Sequence, residues 1–266
     1  MRAGYVRRGT STRWCTSAGT SPSHDAAGDS GRRELELHRG VTLKEAMREA
    51  VAFLESVGID SGEADAGADI FLGEITGLSR SAIRSQGSTR ALSDGELEQF
   101  RAMVVRRSAR EPVQYILGEW QFYNLERLKI RPPTLIPRPE TEELVEMVLR
   151  DAAAPPACFL EVGPGSGAIS LALLRAWPDA RATAVELCAH AVELSRENAA
   201  LTGLSDRLTV EHAGISSWAP PPSLGAAPFD LLVSNPPYIP HAQMATLDPE
   251  VRVFFFFFIT FEPRVE

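Results

Sequence analysis

The sequence predicts an α/β protein in which a small helical bundle precedes a mostly parallel, doubly wound sheet. Residues 41 to 110 place apolar side chains at three-and-four spacing, whereas residues 158 to 234 alternate short apolar runs with helical stretches. Between the two regimes, Pro132, Pro133, Pro137 and Pro139 stiffen the chain. A helical period followed by strand and helix in alternation is the pattern of two packed units in series. The 266 residues leave room for one large domain or two modest ones.

The first helix opens at Thr42 and Glu45, which read as a capping box, and continues with Leu43, Met47, Ala50, Val51, Leu54 and Val57 on one face. Gly58 closes it. A second helix is expected over Glu63 to Ile75, and a third begins at Ser93 and Glu96, another capping box, with Leu97, Phe100, Met103 and Val104 aligned. Arg101, Arg106, Arg107 and Arg110 near its end read as a solvated helix face. A docking face for an acidic or RNA-bound partner is the alternative.

Tyr115 to Ile136 alternate loosely around Gly118, as a hairpin or extended linker would, and a helix starts at Glu140. The sheet then builds from strands at Cys158 to Val162, Ala182 to Glu186, Leu208 to Val210 and Phe229 to Ser234. Helices at Ala168 to Trp177 and Ala189 to Gly203 lie between the first three. The expected division is a disordered leader over 1–40, a helical domain over 41–112, a hairpin linker over 113–137, a second domain over 138–254 and an aberrant tail over 255–266.

Composition removes several function classes. Twenty-seven basic against 35 acidic side chains give a net charge of −8, which disfavours gripping nucleic acid by bulk charge. Cys15, Cys158 and Cys188 are too few and too scattered for a disulfide framework or a paired zinc motif. His190, His212 and His241 lack partners at ligand spacing, so no metal is assigned. No apolar run reaches the roughly 18 residues of a membrane span, and a soluble chain is expected.

The ends differ from the middle. Residues 1 to 24 carry Arg2, Arg7, Arg8 and Arg13, many Ser and Thr, and no acid, the composition of an organelle transit peptide. A disordered tail or a gene-prediction artefact is the other reading, and nothing before Val41 is expected to fold. Phe254 to Phe258 form an unpatterned, β-prone run of five phenylalanines, read as a frameshift, a misjoined exon or a truncated isoform.

Three motifs carry chemistry. Gly163, Gly165 and Gly167, with Pro164 and Ser166 between them, join a buried strand to a helix and let the backbone approach an extended ligand. Alone they leave a dinucleotide reading open, because Ala168 satisfies the tolerant form of that fingerprint. Glu186 stands 19 positions beyond Gly167 at the end of the next strand, where a carboxylate can accept from ribose hydroxyls. Asn235, Pro236, Pro237 and Tyr238 follow the fourth strand. The Asn235 amide oxygen and the Pro236 carbonyl oxygen can converge on one planar NH2 group, with Tyr238 stacking on it or walling the pocket. Both acceptors stabilise the positive charge that grows on that nitrogen as it attacks an electrophilic methyl.

Asn235 to Tyr238, Glu161 to Ser170 and Thr134 to Val145 together resemble the HemK/PrmC family of protein-(glutamine-N5) methyltransferases, and Glu111 to Gly118 is similar to the segment before that family's hairpin. The resemblance runs from about Val41 to about Phe254. It implies a Rossmann-like class I sheet, S-adenosyl-L-methionine as cofactor, and methylation of the glutamine in the Gly-Gly-Gln loop of a peptide chain release factor. It also implies that the helical domain helps grip that partner. By motif, Gly163, Pro164, Gly165, Ser166 and Gly167 line the cofactor's methionine part, Glu186 binds its ribose, and Asn235 contributes to cofactor and substrate binding. Asn235, Pro236 and Tyr238 are the implied catalytic residues, and Pro237 joins them in holding the glutamine. A monomer without direct nucleic-acid or membrane contact is expected, in the mitochondrial matrix if the leader is a transit peptide and in the cytoplasm otherwise.

Two departures from the family bear on activity. Gly214 stands where the family usually has an acid near the adenine, and only 31 residues follow Asn235, so a truncated sheet with an exposed apolar fourth strand is expected. Two alternatives stay open: an adenine-N6 DNA methyltransferase, whose target is also a planar NH2, and an inactive, truncated isoform that binds a release factor.

Overall fold

The computed structural model describes residues 34–222 and 229–236. The arginine-rich leader, the phenylalanine run, His241, Pro237 and Tyr238 lie outside the described residues. The amino-terminal half forms α1 (Leu43–Ser56), α2 (Ser61–Thr76), α3 (Arg80–Gln86) and α4 (Asp94–Ser108). Both expected capping boxes are present. Thr42 Oγ1 accepts from the Glu45 amide at 3.3 Å while Glu45 Oε2 accepts from the Thr42 amide at 3.0 Å, and Ser93 with Glu96 repeats the exchange at 3.3 and 2.8 Å. Each pair satisfies amide groups that a helix start leaves bare. Asp60 caps α2 through the amides of Gly62 and Glu63, which starts that helix ahead of Glu63. Helix α3 buries only Ile83, too little apolar face to leave a period in the sequence. Phe71, Phe100, Leu43, Leu54 and Leu72 are fully buried, each worth about 1.5–3 kcal/mol of apolar transfer.

Two expectations about this half are corrected. The chain joins the fold before Val41, because Leu37 is buried in the helical core and its carbonyl accepts from the Arg101 guanidinium. The α4 arginines are not simply a solvated face: Arg101 and Arg106 stay exposed, but their guanidinium groups, like those of Arg107 and Arg110, are bonded within the protein. Arg106 donates to the carbonyls of Ile116 and Tyr115 at 3.0 and 3.1 Å, Arg110 to that of Gly58 at 2.5 Å, and Arg107, 5% exposed, pairs with Glu63 at 2.8 Å. A long stem and a five-donor head let arginine reach loop carbonyls that lack backbone partners.

Residues Val113–Leu117 form a short helix, α5, where the hairpin was expected to begin. Adjacent side chains divide there: Tyr115 enters the core around the sheet and Ile116 the core of the helices. Gly118, at φ 77°, then turns the chain into the antiparallel pair β1 (Glu119–Phe122) and β2 (Leu125–Lys129).

The second half runs α6 (Pro139–Asp151), β3 (Cys158–Val162), α7 (Ala168–Ala176), β4 (Arg181–Glu186), α8 (Ala189–Leu201), β5 (Leu208–His212) and β6 (Leu231–Ser234). Pro139 sits at the first turn of α6, where its missing N–H costs nothing. The four strands are parallel in the order β5-β4-β3-β6. Residues 182–186 of β4 are all buried, as an inner parallel strand requires, while β5 alternates and Leu232 of β6 is 62% exposed. The chain moves outward from β3 through β4 to β5 and then returns to the far side of β3. That reversal opens a crevice at the carboxyl ends of β3 and β6, the place where open α/β sheets take ligands. Among the described residues, no helix is long and apolar enough to cross a membrane.

Candidate active site

The loop from β3 into α7 lies at that crevice. Gly163, Gly165 and Gly167 take φ values of 72°, 57° and 83°, a region that side chains disfavour. A Cβ on Gly163 would meet nothing within 4 Å, whereas one on Gly165 would lie 3.5 Å from Thr134 Cγ2 and one on Gly167 3.3 Å from Ser195 Oγ. The loop is thus tight on its inner side and open at Gly163. Pro164 and Ser166 are buried, and the Pro164 carbonyl accepts from the Gly167 amide at 2.8 Å, closing the turn.

Helix α8 fixes the loop from beneath. Ser195 Oγ donates to the Gly165 carbonyl at 2.8 Å, and Asn198 Nδ2 donates to the Ser166 carbonyl at 2.9 Å. Asn198, fully buried, also exchanges bonds with Lys129: its Oδ1 accepts from the Lys129 amide at 2.7 Å and its Nδ2 donates to the Lys129 carbonyl at 3.0 Å. One amide therefore ties the hairpin to the glycine loop.

Two carboxyl groups flank the loop. Glu186, 7% exposed at the end of β4, accepts from the Gly165 amide at 3.1 Å and from the Cys188 amide at 2.9 Å. Each of its oxygens keeps lone-pair capacity for a further donor. Glu161 is fully buried in β3, held by the Ser170 amide at 3.0 Å and by the Ser170 hydroxyl, both on Oε2. Its Oε1 has no hydrogen-bond partner. Burial pushes this carboxyl up to about 7, against the Ser170 bonds, and the neighbouring Glu186 adds to the rise.

Across the crevice, β6 pairs with β3 so that Ser234 stands opposite Val162, and Ser234 Oγ donates to the Val162 carbonyl at 2.8 Å. Gly163 and Asn235 therefore follow matched positions on adjacent strands, about 5 Å apart in the ladder direction. Asn235 is half-buried, Pro236 is exposed, and Asn235 Nδ2 donates to Thr141 Oγ1 on α6 at 3.1 Å.

The donor set suits a ligand with hydroxyl or cationic groups: Glu186 keeps acceptor capacity beside the loop, and Glu161 adds a second carboxyl behind it. Leu187, 67% exposed after Glu186, and Ile215, 47% exposed beyond β5, offer apolar surface for a flat ring. A Cβ at Gly214 would make only ordinary contacts, at 3.7 Å to Leu187 and Ser217, so the structure leaves room for a side chain where this sequence has none.

Comparison with known proteins gives the family. A family model described as PrmC N-terminal domain matches residues 45–118, and one described as methyltransferase small domain matches residues 141–252. The chain is 38% identical over 262 residues to the MTRF1L release factor glutamine methyltransferase of Homo sapiens, covering 95% of this chain and 73% of that protein. The chain belongs to the release factor glutamine methyltransferase family. A release factor glutamine methyltransferase of Chlorobaculum tepidum is 39% identical over 231 residues, covering 84% of this chain and 74% of its own length. That of Deinococcus radiodurans is 38% identical over 213 residues, covering 79% and 72%. The family supports the expected Rossmann-like methyltransferase fold, and the dinucleotide reading falls away.

The structure brings Gly163, Gly165, Glu186 and Asn235 to one end of one sheet, as the motifs require. Sequence reading missed Ser195 and Asn198 beneath the loop, and although it marked the segment Thr134 to Val145 it gave no role to Thr134 beneath Gly165 or Thr141 beside Asn235. A signal existed for the α8 pair: Ser195 and Asn198 are three residues apart on a face otherwise made of Ala191, Val192, Leu194 and Ala199. Polar side chains inside an apolar stripe need buried partners.

Proposed function

We propose that this chain transfers a methyl group from S-adenosyl-L-methionine to the side-chain nitrogen of the glutamine in the Gly-Gly-Gln loop of a peptide chain release factor. The matched placement of Gly163 and Asn235 at the reversal of strand order carries the reading, because it sets a cofactor loop and an acceptor cradle side by side. Bound S-adenosyl-L-methionine supplies a methyl on a cationic sulfur. Gly163 to Gly167 would hold its methionine part, Glu186 its ribose hydroxyls, and Leu187 with Ile215 the faces of its adenine.

The protein's own residues do the rest by position. A glutamine amide is a poor nucleophile because its lone pair is delocalised into the carbonyl. Asn235 Oδ1 and the Pro236 carbonyl accept its two N–H bonds, stabilise the positive charge that builds on nitrogen, and fix the direction of attack. The helical unit, taken as 41–112, grips the release factor, and the leader composition favours the mitochondrial matrix.

The test is transfer of label from S-adenosyl-L-methionine. A release factor carrying Gly-Gly-Gln becomes labelled and one carrying Gly-Gly-Ala does not. Labelling of adenine-containing DNA in place of the release factor would move the assignment to adenine-N6 chemistry. Cofactor binding without transfer to either would leave a binding role.

A further inference from the structure

Thr141 lies on α6, third from its start, and is 8% exposed. Its amide is already bonded to the Arg138 carbonyl at 2.9 Å, and the cap residue Arg138 contributes no side-chain bond to the helix. The hydroxyl is directed elsewhere, accepting from Asn235 Nδ2 at 3.1 Å across 94 residues of sequence. Among the described residues, that is the hydrogen bond Asn235's side chain makes. The bond matters because an amide has two unlike ends. Oδ1 accepts and Nδ2 donates, and a half-turn about the last torsion exchanges them at little steric cost. Facing a target NH2 group, Oδ1 forms a bond, whereas Nδ2 would set donor against donor.

We infer that Thr141 is a positioning residue: its hydrogen bond with Asn235 holds the plane of the Asn235 amide beside the acceptor, and so sets the rate of methylation. This rests on the reading of Asn235 as the acceptor cradle. Without the Thr141 hydroxyl the amide swings freely about its last torsion, and Oδ1 meets the target nitrogen for a smaller share of the time.

The experiment compares Thr141→Val, which keeps the shape and removes the hydroxyl, with Thr141→Ser, which restores it, and with Asn235→Ala. Full-length protein is assayed with a Gly-Gly-Gln release factor. The expected result is a fall in kcat of about tenfold for Thr141→Val, the size of one lost orienting hydrogen bond, with cofactor affinity kept. Recovery of most of that loss in Thr141→Ser completes the expectation. If the valine variant does not fold, Thr141→Ala against Thr141→Ser makes the same comparison. Wild-type kcat in Thr141→Val, or a serine variant as slow as the valine one, overturns the role of Thr141. Should Asn235→Ala turn over normally, the cradle itself is wrong, which separates that failure from failure of Thr141 alone.

Discussion

Asn198 is the most exacting test of how the site is assembled. Its side chain is fully buried and makes three hydrogen bonds, to the Lys129 amide, the Lys129 carbonyl and the Ser166 carbonyl. Asn198→Ala leaves one N–H and two carbonyl groups without partners, in places where water does not readily replace the amide. At about 1 kcal/mol net per bond, and more for groups left buried and bare, the expected loss is roughly 3–5 kcal/mol. That is a large part of the roughly 5–15 kcal/mol that keeps a domain folded. The assay is urea unfolding of wild type and variant, with the midpoint falling and the slope unchanged. Asn198→Asp sharpens the test. It keeps the acceptor for the Lys129 amide but aims a second oxygen at two carbonyls. At neutral pH it should be no more stable than the alanine variant. Its carboxyl, raised by burial and by those carbonyls, binds its proton more tightly folded than unfolded, so stability recovers as pH falls. A loss below about 1 kcal/mol in Asn198→Ala, or wild-type stability in Asn198→Asp at pH 7, would show that Asn198 does not hold the loop to the hairpin.

The other predictions concern the acids and the cofactor surface. Burial pushes the Glu161 carboxyl from the ordinary 4.5 up to about 7, so the native state holds the proton that the unfolded state releases. Its contribution to stability is therefore lost as pH rises through that window, by on the order of 3 kcal/mol, and Glu161→Gln should flatten this part of the stability–pH curve, measured by thermal melts from pH 5 to 8. Glu186→Ala should weaken cofactor binding by calorimetry and also loosen the glycine loop, read as faster amide exchange at Gly165, whose N–H it accepts. Leu187→Ser, at a position 67% exposed, should leave the melting temperature within a degree or two while weakening cofactor affinity several-fold. An unchanged affinity there would remove Leu187 from the adenine surface. Gly167→Ala combines a φ of 83° with a Cβ 3.3 Å from Ser195 Oγ and should cost roughly 1–2 kcal/mol in urea unfolding.

What the sequence made legible was local. Thr42 with Glu45, Ser93 with Glu96, and the glycines between an apolar strand and an apolar helix each act on neighbours within a few positions, so their spacing alone predicts their geometry. Glu186 was legible from its place at a strand end, although its clasp on the Gly165 and Cys188 amides was not. Longer-range partnerships left no such trace. Asn198 meets Lys129 from 69 residues away, Asn235 meets Thr141 from 94, and the α4 arginines look like surface charge until the loops they satisfy fold back on them. A polar side chain's period shows which face it occupies, not which carbonyl it will find. Helices α3 and α5 were hidden for a different reason, being too short for an apolar face to repeat.

The order of the strands also sets the order of assembly. Neighbours β3, β4 and β5 come together across short stretches of chain, and α7, α8 and the glycine loop arrive with them. Strand β6 must return across about 70 residues to pair with β3, a larger entropic closure that follows the local ones. During synthesis the part of the sheet that carries the glycine loop and Glu186 is thus complete while the strand that leads to Asn235 is still emerging. A ligand that binds at that loop would stabilise the partial fold by mass action before β6 arrives.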